Sequence, residues 1–389
     1  MMIVLTGARI FDGERFFDDH AVVVEGDRVA AILPYSERPH GPARDLGGGL
    51  LAPGYIDVQV NGGGGVLFNE DPTPEGIARI AAAHRKHGTV GLLPTLVTDA
   101  PQVMAAAIAG TREARQLTPA TLGIHLEGPF LDPARKGAHE LRHIRDLKPG
   151  DIATIVEANC GAVMLTLAPN RVDAASIAEL ARHGVLISLG HSSASYAEAR
   201  AAVKAGAHAF THLFNAMSAP AGREPGMVGA ALDLDEAFVG IIADGHHVHE
   251  ANLRITFAAK RHDRFMLITD AMPPAAGGPD QFDLQGRRVT CADGCLRLDD
   301  GTLAGSVLTM DEAVRYAVNV VRLPLADALA MASRVPATFL RRDAELGRIA
   351  PGYLASLVHL DDELRVLETW IEGRPTADGS KRDELAGNT

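Results

Sequence analysis

The chain has 389 residues, which is too many for one small domain and enough for a large barrel with an accessory domain. Its formal net charge of −12 argues against nucleic acid or an anionic membrane surface as a partner. The 3 cysteines are too few for a disulfide framework, and no apolar run reaches membrane-spanning length. We therefore expect a cytoplasmic protein without a membrane or nucleic-acid partner.

Short strand patterns separated by turns occur at both ends of the chain. The segment AVVVEGDRVAAILP pairs two β-rich runs across Gly26 and Asp27, which is typical of a hairpin. Residues 355–360 and 366–372 are also strand-like. We predict a small β-sandwich domain built from residues 1–52 and 345–380, a catalytic domain over residues 53–344, and a polar tail at 381–389.

Between these ends the sequence predicts eight strands, most of them separated by helical patterns. The strands are expected at residues 54–60, 90–97, 121–127, 162–167, 185–189, 207–211, 238–243 and 265–269, and the helices at 74–87, 101–116, 174–183 and 250–261. Alternation of this kind indicates the α/β class and a (β/α)8 TIM-like barrel. The sixth connection, residues 218–236, is loop-like and lacks the usual helix, and residues 281–298 predict a hairpin.

Two histidines follow neighbouring strands in the segment VLISLGHSSASYAEARAAVKAGAHAFTHLFNAM, residues 185–217. The segment predicts a βαβ unit whose helix could be capped by Ser193. His191 follows the first strand and His212 ends the second, so both imidazoles should reach the rim at the carboxyl ends of the strands. Each could simply hydrogen bond in a polar loop, but two equivalent histidines favour metal ligation.

Two carboxylates end other strands at the same predicted rim. Glu127 ends the third strand and Asp270 follows the eighth. One carboxylate with two imidazoles is a ligand set of hydrolytic zinc sites, where zinc supplies hydroxide near neutral pH. Asp270 could take the proton from water and pass it to the leaving nitrogen. The alternatives are a structural ion pair for Glu127 and a helix cap for Asp270.

Eight motifs occur in a fixed order and extend over nearly the whole chain, to about Gly373. They are APGYIDVQVNGGGG, HLEGPFL, LGHSSASYAEA, THLFNAM, GREPG, ADGHHV, LITDA and GTLAGSVLTM. Together they resemble the N-acetylglucosamine-6-phosphate deacetylase family of the amidohydrolase superfamily. The resemblance implies a metal-dependent barrel with a β-sandwich that removes acetate from an N-acetyl amino-sugar phosphate.

The resemblance also implies roles for individual residues. Glu127, His191 and His212 match the family's metal ligands, and Asp270 matches its catalytic base and acid. His139 matches the histidine that contacts and polarises the substrate carbonyl. The remaining matches are substrate-binding positions: His247 for the sugar, Asn215 and Arg223 for the phosphate, and Ala216 beside them.

The first strand bears on the number of metal ions. Many amidohydrolases carry His-x-His there and hold two metals, whereas this chain has Gln59-Val60-Asn61. Neutral amides are poor ligands beside imidazole and carboxylate. We therefore expect one divalent metal per subunit, zinc by preference, with Gln59 and Asn61 hydrogen bonding the water beside the metal or its neighbours.

The expected reaction converts N-acetyl-D-glucosamine 6-phosphate to D-glucosamine 6-phosphate and acetate. The alternatives are the same reaction on N-acetyl-D-galactosamine 6-phosphate, hydrolysis of another cyclic amide, and a non-catalytic scaffold. The presence of Glu127 and Asp270 argues against the scaffold. The sequence does not distinguish the two sugar epimers. Similar enzymes are dimers, so we expect a homodimer in which Arg223 completes the neighbour's phosphate site, although a surface ion pair with Glu224 is the alternative.

Overall fold

The computed structural model of the chain describes residues 2–376, so the predicted tail at 381–389 lies outside the described residues. The first part of the chain consists of short strands rich in β-branched residues. Gly26, at a φ of 64°, supplies the left-handed turn between the fourth and fifth of them. The strands are β1 (Met2–Thr6), β2 (Arg9–Phe11), β3 (Phe16–Phe17), β4 (His20–Glu25), β5 (Arg28–Pro34), β6 (Ala43–Asp45) and β7 (Leu50–Pro53).

Eight parallel strands form the central sheet, in the order of the chain. The first and last are joined by a parallel bridge between Val60 and Ala271, which closes the barrel. Most of the residues in these strands are buried, as expected for a sheet covered on both faces. The strands are β8 (Tyr55–Val60), then a small hairpin of β9 (Gly62–Gly63) and β10 (Val66–Leu67), then β11 (Thr89–Val97), β12 (Gly123–Glu127), β13 (Ala162–Leu167), β14 (Leu186–Leu189), β15 (Ala209–Phe210), β16 (Phe238–Ile241) and β17 (Phe265–Leu267).

Helices connect the barrel strands and continue after them. Several begin at a residue that caps the first turn, such as Thr73, whose hydroxyl accepts from Gly76 N. The helices are α1 (Pro74–Arg85), α2 (Pro101–Leu117), α3 (Pro149–Val156), α4 (Ala174–Arg182), α5 (Tyr196–Lys204), α6 (Gly226–Asp233), α7 (Glu250–Ala259), α8 (Met310–Tyr316), α9 (Leu325–Ala332) and α10 (Arg334–Phe339).

The segment after the last barrel strand forms an antiparallel sheet of four strands, which contains the predicted hairpin. The strands are β18 (Gln281–Leu284), β19 (Arg287–Ala292), β20 (Cys295–Leu298) and β21 (Leu303–Ser306). Leu284, Val289 and Leu296 pack in its apolar cluster with Val97 and Met272 of the barrel rim. The sheet is therefore fixed to the rim where the predicted site residues lie.

Strands from the two ends of the chain share one sheet. After α10 come β22 (Leu357–Leu360), β23 (Val366–Ile371) and β24 (Arg374–Pro375), and β22 pairs antiparallel with β7. This sheet of six strands packs on the sheet β5-β4-β1-β6 through an apolar layer that includes Leu5, Val22 and Trp370. The predicted fold class, a TIM-like barrel with a small β-sandwich from both termini, is confirmed; the domain boundaries stay a prediction.

Two local predictions were wrong. The sixth connection contains α6, although the segment of residues 218–236 lacks a helical pattern; Ser218 Oγ accepts from Met227 N at 2.8 Å and fixes the start of the helix. The cap of α5 is Ser195, in a capping box with Glu198, and not Ser193. No helix within residues 2–376 is long and apolar enough to cross a membrane.

Candidate active site

Three predicted ligands meet at the carboxyl-end rim of the barrel. Glu127 is the last residue of β12, His191 follows β14, and His212 follows β15. Glu127 Oε1 lies 3.2 Å from His191 Nε2 and 3.0 Å from His212 Nε2, and the two Nε2 atoms are 3.0 Å apart. All three side chains are buried. We call Glu127, His191 and His212 the ligand cluster.

The backbone at these positions is unusual for residues that carry a Cβ. His191, His212 and Asp270 have φ values of 46°, 30° and 53°. Left-handed backbone costs free energy for residues other than glycine, and it persists where the surroundings enforce it, as functional sites do. Each turn directs a side chain from the end of its strand into the mouth of the barrel.

The hydrogen bonds of His191 show what the ligand cluster is suited to hold. Its Nδ1 lies 2.9 Å from the carbonyl oxygen of Arg135, which only accepts, so Nδ1 carries the proton. In its neutral form the ring then presents a lone pair on Nε2, which faces the carboxylate of Glu127. Two acceptors directed at each other are stabilised by a cation between them. The spacing also fits, because tetrahedral zinc separates its ligand atoms by about 3.3 Å.

Electrostatics within the ligand cluster are strongly coupled. Burial alone would raise the pKa of Glu127, but the contacts of its carboxylate with the imidazoles of His191 and His212 outweigh burial and hold that pKa well below its usual range. Burial would lower the pKa of His212, yet contact with Glu127 raises it overall. The cluster therefore keeps Glu127 ionised, which is the state in which a carboxylate binds a divalent cation.

Asp270 lies beside the ligand cluster and is held by two amides. Its Oδ1 accepts from Gln59 Nε2 at 3.0 Å and from Asn61 Nδ2 at 2.7 Å, and Gln59 Nε2 also lies 3.1 Å from Glu127 Oε1. Burial, followed by the charge of Glu127, raises the pKa of Asp270 to about 6. A carboxylate with a pKa in this range is suited to accept and return a proton near neutral pH.

His139 lies on the other side of the ligand cluster. Its ring centroid is 4.3 Å from that of His191, and its Nε2 is 4.0 Å from Glu127 Oε1. Its Nδ1 is 2.8 Å from Thr98 Oγ1. Burial, together with the charge of His191, lowers the pKa of His139 well below its usual range. The ring is therefore neutral in this environment.

A cavity of about 380 Å³ opens onto these groups, a volume suited to a small polar ligand. His247 contributes Nε2, which is buried and has no hydrogen-bond partner among residues 2–376, while its Nδ1 lies 2.6 Å from Asp244 Oδ2. Predicted site residues on the cavity wall are Asn61, Glu127, His139, His191, His212, Asn215, Ala216, His247 and Asp270. Gln59 lies beneath the wall, where its Nε2 is within hydrogen-bond distance of the carboxylates of Glu127 and Asp270.

Arg223 does not line this cavity. It is exposed in the loop between β15 and α6, and it forms no ion pair with any residue in the range 2–376. The alternative partner, Glu224, instead accepts from the backbone amides of Tyr196 and Gly226. The guanidinium is therefore free to meet an anion outside its own barrel.

Sequence reasoning predicted His139 but missed the segment from Asp132 to Arg135, which contacts His191 and the residues after it. Asp132 N donates to His191 O, its carboxylate accepts from Ser193 N, and Arg135 O holds the His191 ring. It also missed β21, from which Leu303 and Gly305 reach the cavity. The only signal in the sequence for the segment that begins at Asp132 was its position directly after the motif HLEGPFL. The strand β21 lies in the motif GTLAGSV, to which the sequence analysis assigned no role.

The protein has a closed parallel barrel whose strand ends direct carboxylate and imidazole groups into one cavity. This combination is typical of barrel hydrolases that can hold a metal. The sequence model of the Amidohydrolase family matches residues 50–380, and that of the NagA composite domain matches residues 2–51. The chain therefore belongs to the amidohydrolase family.

Named relatives are similar over almost the whole chain. N-acetylgalactosamine-6-phosphate deacetylase of a Shewanella species is 40% identical over 379 residues, covering 96% of this chain and 95% of the relative. N-acetylglucosamine-6-phosphate deacetylase of Haemophilus influenzae is 34% identical, covering 92% and 94%. The crystal structure of N-acetylglucosamine-6-phosphate deacetylase from Pasteurella multocida matches with a TM-score of 0.94 at 36% identity, covering 97% of this chain and 100% of that one.

Proposed function

We propose that the protein is a metal-dependent deacetylase that converts N-acetyl-D-glucosamine 6-phosphate to D-glucosamine 6-phosphate and acetate. The observation that carries this proposal is the ligand cluster beside Asp270 in one cavity, with Glu127 Oε1 3.0 to 3.2 Å from two imidazole nitrogens. The names of the relatives over nearly the full length of the chain support the substrate class.

The residues divide the work of amide hydrolysis. Glu127, His191 and His212 would hold a divalent ion, which supplies Lewis acidity and a more acidic water when bound. Asp270 takes the proton of the attacking water and returns it to the nitrogen of the leaving amino sugar. Gln59 and Asn61 hold the Asp270 carboxylate in place, and His139 contacts the acetyl group.

We propose one zinc ion per chain. The side-chain nitrogens of Gln59 and Asn61 donate to carboxylates, so these amides occupy positions where a second metal would need ligands. Elemental analysis of the purified protein should give one metal ion per chain. Two ions per chain at full occupancy would contradict this proposal.

We further propose a homodimer in which Arg223 binds the phosphate across the interface. A planar guanidinium suits bidentate contact with a phosphate, and Arg223 is exposed and outside its own cavity. His247 then contacts the sugar, while Asn215 and Ala216 contact the phosphate from within the same chain. A cytoplasmic location is consistent with free cysteines at 160, 291 and 295.

Deacetylation of N-acetyl-D-galactosamine 6-phosphate is the second candidate. The Shewanella relative with that name is 40% identical to this chain, against 34% for the Haemophilus N-acetylglucosamine-6-phosphate deacetylase. Both reactions need the same ligand cluster and the same base, so only contacts to one sugar hydroxyl separate them.

The test is acetate release from both N-acetylhexosamine 6-phosphates and from their unphosphorylated forms. We expect the highest kcat/KM with N-acetyl-D-glucosamine 6-phosphate and a large loss without the phosphate. A higher kcat/KM for the galacto epimer would favour the second candidate. Absence of acetate release from all four compounds by zinc-loaded protein would contradict the deacetylase proposal.

A further inference from the structure

Arg287 is the first residue of β19, in the antiparallel sheet beside the barrel rim, and its side chain reaches the loop after β12. Its Nη2 donates to the backbone carbonyl oxygen of Ala138 at 2.6 Å, and its Nε lies 3.4 Å from Glu140 Oε2. These two partners are the residues before and after His139. We call the contacts of Arg287 with Ala138 and Glu140 the Arg287 clamp.

The Arg287 clamp fixes an orientation as well as a distance. A guanidinium is planar and its N–H groups point in fixed directions, so one group that binds two acceptors also sets how they lie relative to each other. The Arg287 side chain is 26% exposed, which limits competition from water. The clamp therefore restricts the backbone from which the imidazole of His139 projects.

The turn before Arg287 holds a second part of the rim. Gln285 has a φ of 56°, and its Nε2 lies 2.8 Å from both the carbonyl oxygen of Thr98 and Oδ2 of Asp99. Thr98 Oγ1 lies in turn 2.8 Å from Nδ1 of His139. The β18–β19 turn thus contacts the backbone around His139 through Arg287, and the neighbour of its ring through Gln285.

The loop that the clamp holds lies against the ligand cluster. Gly137 has a φ of 55°, and a Cβ built on it would lie 3.3 Å from Cε1 of His191. Ala138 packs on the apolar cluster of the sheet β18–β21, and the ring centroid of His139 is 4.3 Å from that of His191. Movement of the sheet would therefore move His139, and a misplacement of about 1 Å can cost about 100-fold in rate.

We propose that Arg287 is a positioning residue that holds His139 beside the ligand cluster from outside the barrel. The inference rests on the proposed function for the contact between His139 and the acetyl group. Arg287 lies outside the cavity wall, so it acts on the reaction through the loop. The sheet β18–β21 then contributes to turnover as well as to the shape of the cavity.

Three variants test the clamp. Arg287→Met keeps the length of the side chain and removes its donors, so kcat should fall by about 10- to 100-fold, with a smaller change in KM and with zinc retained. Arg287→Lys keeps a charged donor for Ala138 O and should keep most of the turnover. Arg288→Ala, at the exposed next position of β19, is the matched control and should match the wild-type protein. An unchanged kcat in Arg287→Met would overturn the proposal.

A double-mutant cycle separates positioning from a general effect on structure. If Arg287 acts through His139, Arg287→Met should have almost no effect on kcat in a protein that already carries His139→Ala. The same fall in both backgrounds would overturn the proposal, because Arg287 would then act on another part of the molecule.

Glu140→Gln is the second variant, for the case that Arg287→Met does not fold. It weakens the same clamp at a residue whose side chain is 24% exposed. The fall in kcat should be smaller, about 2- to 5-fold, and should also vanish beside His139→Ala. A fall that persists in that background would overturn the proposal in the same way.

Hydrogen exchange separates this inference from the proposed function, because it needs no substrate. The amide of His139 donates to Lys136 O at 3.0 Å, and its exchange should be about 10-fold faster in Arg287→Met and unchanged in Arg288→Ala. Unchanged exchange in Arg287→Met would overturn the positioning role. Faster exchange in that variant, with no acetate release by the wild-type protein, would support the clamp and contradict the deacetylase proposal.

Discussion

Asp270 is the residue on which the proposed chemistry depends most. Two amides hold one of its carboxylate oxygens, and burial raises its pKa to about 6. The alternative interpretation of this residue, a helix cap, does not account for its place on the cavity wall. The left-handed backbone of Asp270 and its buried hydrogen-bond partners indicate that the carboxylate is held in position for a reaction.

Asp270→Asn should bind zinc normally and lower kcat by about 100- to 10,000-fold, because the variant loses the group that moves the proton. His139→Ala should cost less, since the metal remains. The measurements are steady-state acetate release and metal content. Near-normal turnover of Asp270→Asn would assign the base to another residue.

Asp57 lies below the site and provides a pH dependence of stability. It is buried on β8 and accepts from Thr269 Oγ1 at 2.5 Å and from Gln59 N at 3.1 Å. Burial raises its pKa from 3.8 to about 7. The folded protein therefore holds the proton more tightly than the unfolded chain, so the contribution of Asp57 to stability is fully present below about pH 4 and is lost as the pH rises to 7.

This loss amounts to about 4 kcal/mol, from roughly 1.4 kcal/mol per pH unit. In Asp57→Asn the free energy of unfolding should fall less between pH 4 and 7 than in the wild-type protein. Urea unfolding of zinc-loaded protein over a pH series measures this difference. Exposed Asp362→Asn is the control and should follow the wild-type curve; parallel curves for all three proteins would contradict the assignment.

Residue roles differ in how far the sequence predicts them. Glu127, His191, His212 and Asp270 each end or follow a strand whose apolar pattern is clear, and parallel strands end at one rim, so their convergence follows from the pattern. The contact that holds the His191 ring depends on Arg135 O, in a loop that returns to the site after β12. No spacing in the sequence encodes that contact.

At the level of elements, the sheet β18–β21 forms part of the cavity wall. Leu303 and Gly305 on β21 line the cavity, while Leu296 on β20 is fully buried in the apolar cluster beneath. The position of this sheet therefore controls the shape of the site. Its predicted hairpin follows from alternating residues around Asp293-Gly294, but its contact with the rim does not.

Leu296→Ala should destabilise the protein by about 2–5 kcal/mol, because it leaves a cavity in this apolar cluster. Faster hydrogen exchange in β18–β21 and a raised KM should accompany the loss. Arg288→Ala on neighbouring β19 is the matched control, since Arg288 is exposed. Unchanged exchange in Leu296→Ala would show that the barrel rim alone holds the sheet.

The helix α6 shows where pattern reading fails for an element. Gly226, Gly229 and Pro225 are poor residues for a helix interior, so residues 218–236 predict a loop. In the folded chain Met227, Val228 and Ala231 are buried, and Ser218 provides the first-turn acceptor. Tertiary packing outweighs local propensity here, and a sequence read alone does not contain that packing.

For the whole molecule, the proposed dimer makes Arg223 part of a neighbour's site. Arg223→Ala should raise KM for the phosphorylated sugar by about 10-fold or more, from the loss of a charge-assisted contact, and barely change activity on the unphosphorylated analogue. The measurement is acetate release from both substrates. Equal losses on both would show that Arg223 supports structure and does not bind phosphate.

Hybrid dimers test the arrangement across the interface. A mixture of Arg223→Ala and Asp270→Asn chains places an intact Asp270 and a partner's intact Arg223 at one of the two sites. Activity on the phosphorylated sugar should then exceed that of either variant alone. No recovery in proven hybrids would place both residues in the site of one chain.

The pairing of β7 with β22 also determines when the molecule can be completed. Gly48 and His359, whose contact lies at this junction, are 311 positions apart. A growing chain therefore presents β7 with one open edge while every barrel strand is being made, and the edge closes only when β22 leaves the ribosome. Because an unpaired strand edge is a template for another chain, interrupted synthesis would leave β7 as the edge through which incomplete chains associate.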